Sequence, residues 1–213
     1  MRARIKFAKI ESMRFTSHLD LHRTLERTFR RAQLPMKYSQ GFNPRPKINL
    51  AAALPLGCTS QAEQVDVWLT EALAVEVIKA RLLEVQPPGI EVRSVQSIPT
   101  DAPKLQRAIQ SVEYIVELND PIDDLENEVD RVLSAEHIKR ERRGKVYDLR
   151  PLINSLEIIQ TDSGQKLLRV HLAAREGATG RPDEVLNELG IPVESARIER
   201  TGLFFKTTEE NDS

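Results

Sequence analysis

One order of short segments runs through the chain twice, and it limits the possible folds more than any single motif does. Residues 4–10 set apolar Ile5 and Phe7 against Arg4 and Lys6, the period-two pattern of a half-buried strand. Ser17, with Asp20 three residues on, is spaced to cap a helix that runs to about Ala32. Leu21, Leu25, Thr28, Phe29 and Ala32 fall on one stripe of that helix, and Arg23, Arg27, Arg30 and Arg31 on the opposite side. Pro35 bars its continuation. Strands are expected near 36–39, over 47–54 and over 63–70, the last two forming a hairpin across 55–62. A helix follows over 72–85, stopped by Pro87-Pro88-Gly89, then a strand over 90–98.

After a proline-containing linker at 99–104 the order recurs. A strand is expected at 112–118, then a helix capped by Asp120 with Pro121 first and ending near Ala135. The basic 138–148 stretch reads as strand in part. Segments 156–160 and 167–173 flank the turn Asp162-Ser163-Gly164. A helix over 182–189 closed by Gly190 and a strand over 196–205 complete the series. Strand-helix-strand-strand-helix-strand is the ferredoxin-like order. The expected fold is α+β: two ferredoxin-like domains in tandem, with antiparallel sheets and helices on one face. They span 1–100 and 108–206, followed by a disordered tail at 207–213.

Charge is distributed unevenly over this frame. The first 47 residues hold twelve Lys and Arg against three Asp and Glu, a net of +9 in a chain whose total is −1. A basic surface meeting an anion is one reading, with phosphate-rich nucleic acid the commonest large one; a solvated face serving solubility is the other. No stretch approaches the ~20 apolar residues of a membrane span, and the first residues lack a signal-peptide run, so the expected location is cytoplasmic with no membrane partner. The single cysteine, Cys58, fits a reducing compartment and leaves no multi-cysteine zinc or iron–sulfur site. No metal and no cofactor are expected.

The candidate nucleic-acid-binding residues follow from these patterns. Arg4 and Lys6, with Arg2 beside them, project from the sheet face opposite Ile5 and Phe7, either toward phosphates or as guards of a strand edge. His18 sits in the first helical turn. It is a half-buried structural imidazole, or else a general base or phosphate ligand made neutral by the helix dipole. His22, one turn on, gives the i, i+4 pair of a metal site, but the ligand set stays incomplete. Asp20 either pairs with Arg23 and Arg27 or aims Arg23 at a ligand; Arg30 extends the same face. The loop Gln40-Gly41-Phe42-Asn43-Pro44-Arg45-Pro46-Lys47 offers an amide, two cations and an aromatic ring on a stiffened backbone. Phe42 either stacks on a base or plugs the core. In the second half, Arg142, Arg143 and Arg150 form a separate basic segment.

The run from Phe15 to Lys47 resembles a bacterial family of radical SAM-linked proteins, found beside or fused to radical SAM proteins. Ser17-His18-Leu19-Asp20, Arg23, Glu26-Arg27, Arg30-Arg31-Ala32, Leu34-Pro35 and Ser39-Gln40-Gly41-Phe42-Asn43-Pro44 with Pro46-Lys47 carry the likeness. Pro55-Leu56-Gly57, Glu63, Asp66 and Tyr147-Asp148-Leu149-Arg150-Pro151 extend it. Because the three closely spaced cysteines of a radical SAM cluster are absent, the resemblance implies a separately encoded radical SAM partner. The expected function is therefore an RNA-binding accessory module, not itself an enzyme, that presents tRNA or rRNA to that partner. The alternatives are a metal-independent endoribonuclease of the CRISPR-processing type, with His18 catalytic, and a protein-assembly subunit.

Overall fold

The computed structural model describes residues 1–142 and 144–206. The chain divides after Ile109 into two compact units, Met1–Ile109 and Gln110–Ser213. The expectations for Arg143 and for the 207–213 tail lie outside the described residues.

In unit 1, β1 (Arg2–Lys9) is the central strand. It pairs antiparallel with β3 (Cys58–Trp68) on one side and β4 (Ile90–Ile98) on the other. The short β2 (Ile48–Leu50) adds to the far side of β3, so the strands lie in the order β4-β1-β3-β2. Ala3, Ile5 and Phe7 share one face of β1 and join a core with Leu21, Leu25 and Phe29 of α1 (His18–Arg31) and Ile78 and Leu82 of α2 (Val75–Val85). Full burial of each large apolar side chain contributes about 1.5–3 kcal/mol, enough to hold an amphipathic helix that water alone would leave marginal.

The ends of α1 are set locally. Ser17 Oγ accepts the Asp20 N–H at 3.2 Å at the N-cap. At the other end Leu34 N–H bonds Phe29 O at 3.1 Å and Gln33 N–H bonds Arg30 O at 3.0 Å. This is a Schellman closure, with Gln33 at φ 52 in the left-handed position glycine usually takes. A true glycine requirement occurs at Gly89, φ +91, where an added Cβ would lie 2.4 Å from Met13 Cγ.

Three sequence expectations are revised here. The 36–39 strand reduces to isolated bridges, Met36 with Leu69 and Tyr38 with Pro46. The 63–70 strand instead runs Cys58–Trp68, because Lys9 of β1 pairs as far back as Ser60. The expected linker at 99–104 is anchored: Arg2 donates to the carbonyl oxygens of Ala102 and Pro103, and α3 (Leu105–Ala108) buries Leu105.

Unit 2 repeats the connectivity. β5 (Ile109–Leu118) lies between β9 (Lys166–Arg175) and β11 (Ala196–Phe205), while β8 (Ile153–Gln160) and the two-residue β10 (Ala178–Thr179) both pair with β9. α4 (Leu125–Ser134) and α5 (Pro182–Glu188) bury Val129, Val132, Val185 and Leu186. α4 starts later than its sequence suggests, since Asp124 at φ 62 opens it and Pro121 stays outside. A two-stranded hairpin, β6 (Lys139–Arg142) and β7 (Lys145–Asp148), is inserted after α4. The chain is thus mixed α/β, its sheet pairings predominantly antiparallel. No helix among the described residues is long and apolar enough to cross a membrane.

Candidate nucleic-acid interface

Alternation on β1 turns Arg2, Arg4 and Lys6 away from the apolar core, as their spacing predicts. That face is not a row of open cations. Asp66 of β3, fully buried, accepts from Arg2 Nε at 3.1 Å and Arg4 Nε at 2.8 Å, and takes a second bond from each guanidinium. Arg2 is 1 % exposed, and its guanidinium also lies 4.5 Å from the Trp68 ring centroid. Two guanidiniums on one carboxylate satisfy a charge that burial would otherwise make costly. Arg4 is therefore committed to the fold, and Lys6 alone of the three is exposed.

On α1 the four arginines all point outward, but not equally free. Arg23 bonds Asp20 at 3.2 Å and Arg30 bonds Glu26 at 2.6 Å, while Asp20 also takes the Ser17 hydroxyl at 2.8 Å. Asp20 is thus both cap partner and ion-pair partner. His18 is half-buried in the first turn. Among the described residues Arg27 and Arg31 are exposed without a paired carboxylate.

The loop after α1 is the most open basic element. Lys37 N–H donates to Trp68 O at 2.7 Å, Trp68 N–H donates to Lys47 O at 3.1 Å, and Lys47 N–H donates to Lys37 O at 2.8 Å. These bonds pin both feet of the loop to the end of β3. Higher up, Ser39 N–H donates to Arg45 O at 2.8 Å, and Ser39 Oγ accepts the Arg45 N–H at 3.0 Å. Gly41, at φ +121, turns the tip. Gln40, Gly41, Phe42, Asn43, Arg45 and Lys47 are all exposed, and Phe42 is fully so. The alternative in which Phe42 plugs the core is overturned. Lys37, Arg45 and Lys47 have no carboxylate partner among the described residues.

The basic segment of unit 2 differs. Arg150, expected to face nucleic acid, donates through Nε and Nη2 to Leu133 O at 3.1 and 2.9 Å, and through Nη1 to Ile153 O at 3.1 Å. It closes the carbonyl end of α4: a cation satisfies backbone oxygens that α4 leaves bare. Arg142 is exposed on β6. Asp148 accepts from His137 Nδ1 at 2.7 Å, and this bond, with the backbone N–H groups of Ile138 and Arg150, holds its carboxyl below the ordinary aspartate value.

A family model matches residues 2–182, most of the chain: that of the uncharacterized proteins conserved in bacteria, DUF2344. The chain belongs to DUF2344. That description names neither an enzyme nor a partner. No curated protein matches the chain. Among solved structures it is similar to one in the crystal structure of a Cbf5-Nop10-Gar1 complex, at 11% identity and TM-score 0.49, over 96% of this chain and 50% of that one. It is also similar to one in the crystal structure of the archaeal box H/ACA sRNP Nop10-Cbf5 complex, at 15% identity and TM-score 0.35, over 84% and 42%. This DUF2344 member spans half or less of the length of either.

Lys37, which the sequence pattern did not single out, and Arg31, placed on the arginine side of α1 but not among the expected ligand residues, are both open. Lys37 is brought beside Lys47 by the bond from Lys47 N–H to Lys37 O and by the bonds of both to Trp68, contacts that no local sequence signal announces. Among the described residues no group of three or more His, Cys, Asp or Glu is placed to hold a metal ion.

Proposed function

We propose that this DUF2344 chain is an RNA-binding accessory module and that unit 1 carries the binding surface. The strand order of each unit supports reading both as ferredoxin-like domains in tandem. The observation that carries the proposal is the 37–47 loop. Lys37, Arg45 and Lys47 stand open around a fully exposed Phe42, on a base bonded to the sheet. Open cations attract the phosphate backbone, and an exposed ring gives an unpaired base a stacking surface. The radical SAM-linked resemblance extends the proposal to presenting tRNA or rRNA to a radical SAM partner.

The test is fluorescence anisotropy of labelled single-stranded RNA across a salt series. Affinity should fall steeply with salt, and the triple variant Lys37→Gln, Arg45→Gln, Lys47→Gln should flatten the log–log slope by about 2. Phe42→Ala should weaken binding about tenfold or more with no loss of thermal stability, because its ring touches no core. Absent or salt-insensitive binding overturns the proposal.

A second reading, the protein-assembly subunit, is favoured by a different feature. Arg14 Nε donates to Gly57 O at 2.7 Å and Gly57 N–H donates to Arg14 O at 3.2 Å, which sets Phe15 beside the 55–57 turn. Phe15, Leu19 and Leu56 are 74%, 69% and 62% exposed. Phe15 lies beside the turn that carries Leu56, and contiguous exposed apolar surface marks protein contacts. The partner-binding and RNA-binding faces of an accessory module are thereby given different chemistry.

A further inference from the structure

Unit 1 holds a groove of about 640 Å³ that the sequence did not announce. Its size falls within the range of small-ligand sites. Lys47, Lys104 and Arg107 line it against one carboxylate, Asp101, and all three cations are exposed with no carboxylate partner among the described residues. An anion is the charge complement of such a groove.

The wall is an indole held in place. Trp68 lines the groove, and the Arg2 guanidinium lies 4.5 Å from its ring centroid. Arg2 is itself fixed by Asp66 and by the carbonyl oxygens of Ala102 and Pro103. A ring immobilised by a cation is a stiff stacking surface. Asn49 lines the same groove, and its Oδ1 is buried with no hydrogen-bond partner. Buried acceptors are seldom left without a donor, and a side-chain amide can both donate and accept at the edge of a planar ligand.

Aromatic wall, spare amide and open cations together match one ligand chemistry: a planar heterocycle carrying phosphate. We infer that this groove is a nucleotide pocket, in which one base stacks on Trp68, Asn49 bonds its edge, and Lys47, Lys104 and Arg107 take the phosphate. The inference rests on the RNA-binding reading for its preferred source of that nucleotide, a single-stranded RNA. The feet of the 37–47 loop are bonded to the backbone of Trp68, and Lys47 belongs to both features. A strand held at the loop therefore reaches the pocket. The same chemistry is offered by a free nucleoside monophosphate.

Trp68 is the only tryptophan in the chain, so its fluorescence reports the groove directly. The full chain is titrated with adenosine monophosphate, with labelled twelve-residue oligoadenylate, and with inorganic polyphosphate, following Trp68 emission in every case and anisotropy for the labelled strand. Oligoadenylate should quench Trp68 as it binds, and Lys104→Gln with Arg107→Gln should weaken that quenching about tenfold, the loss of two phosphate contacts. Polyphosphate should leave the emission unchanged.

Strand binding by anisotropy without quenching, and with unchanged affinity in the double variant, overturns the pocket while the RNA reading stands. Quenching by the monophosphate with no strand binding supports the pocket with a free nucleotide as its source and overturns the RNA reading. Equal quenching by polyphosphate, or no response to any probe, overturns the pocket.

Discussion

The segments 37–47 and 139–150 look alike as sequences, each a short basic run with a glycine and at least one aromatic residue, yet the fold leaves all three cations of the first open and ties down two arginines of the second, while Lys139, Arg142 and Lys145 stay exposed. In the first, Lys37, Arg45 and Lys47 are open, and only their backbones are engaged. In the second, Arg140 is bonded to Glu188 of α5, and Arg150 donates to Leu133 and Ile153 carbonyls. The lesson is that a basic run becomes a basic surface only where no carboxylate or bare carbonyl from a distant element reaches it. β1 makes the same point more strongly, since Arg2 and Arg4 meet Asp66, a partner more than sixty residues away.

The largest effect expected from breaking this contrast is on β1. Asp66→Asn keeps the shape but strands the Arg2 and Arg4 charges, and should cost about 3–5 kcal/mol, read as a lowered midpoint in denaturant. A midpoint equal to that of the unaltered chain would mean that Arg2 is solvated and the contrast false. Next comes Arg150→Ala, which removes several charge-assisted bonds to α4 and should cost about 2–3 kcal/mol. Arg45→Ala, taken from the open loop, should change stability by less than about 0.5 kcal/mol. Similar losses for both would erase the distinction between the two segments.

The smallest effect lies in the anchor of the β6–β7 hairpin. The His137 hydrogen bond, ahead of the backbone donors, holds the Asp148 carboxyl below the ordinary aspartate value. A carboxyl lowered in the folded state stabilises above its unfolded value, and that contribution disappears as pH falls through the folded one. His137→Ala should raise the Asp148 midpoint in an NMR titration. An unmoved midpoint would assign the lowering to the backbone N–H groups alone.

Legibility from sequence followed the range of the interactions involved. The strands expected over 90–98 and 196–205 form with those bounds. The cap at Ser17 and the stripe of α1 are equally local and equally readable. The Schellman closure at Gln33 was not, since glutamine carries no signal for left-handed backbone. The first half of β3 was hidden because Cys58-Thr59-Ser60-Gln61 has no alternation, and only its pairing with β1 makes it a strand. Of the candidate site, the stiffened turn of the 40–47 loop was readable from its glycine and prolines, but the exposure of Phe42 was not, and Trp68, Asn49, Lys104 and Arg107 come together only through the docking of residues 99–108.

By itself the sequence determined the order of helices and strands and the capped start of α1 at Ser17, where periodicity and a capping side chain act over a few residues. It also determined how much positive charge the first third carries. Only the tertiary structure decided which of those cations are neutralised and which remain free. Ion pairing depends on separation in space, and Asp66 and Glu188 reach their arginines across tens of residues of chain.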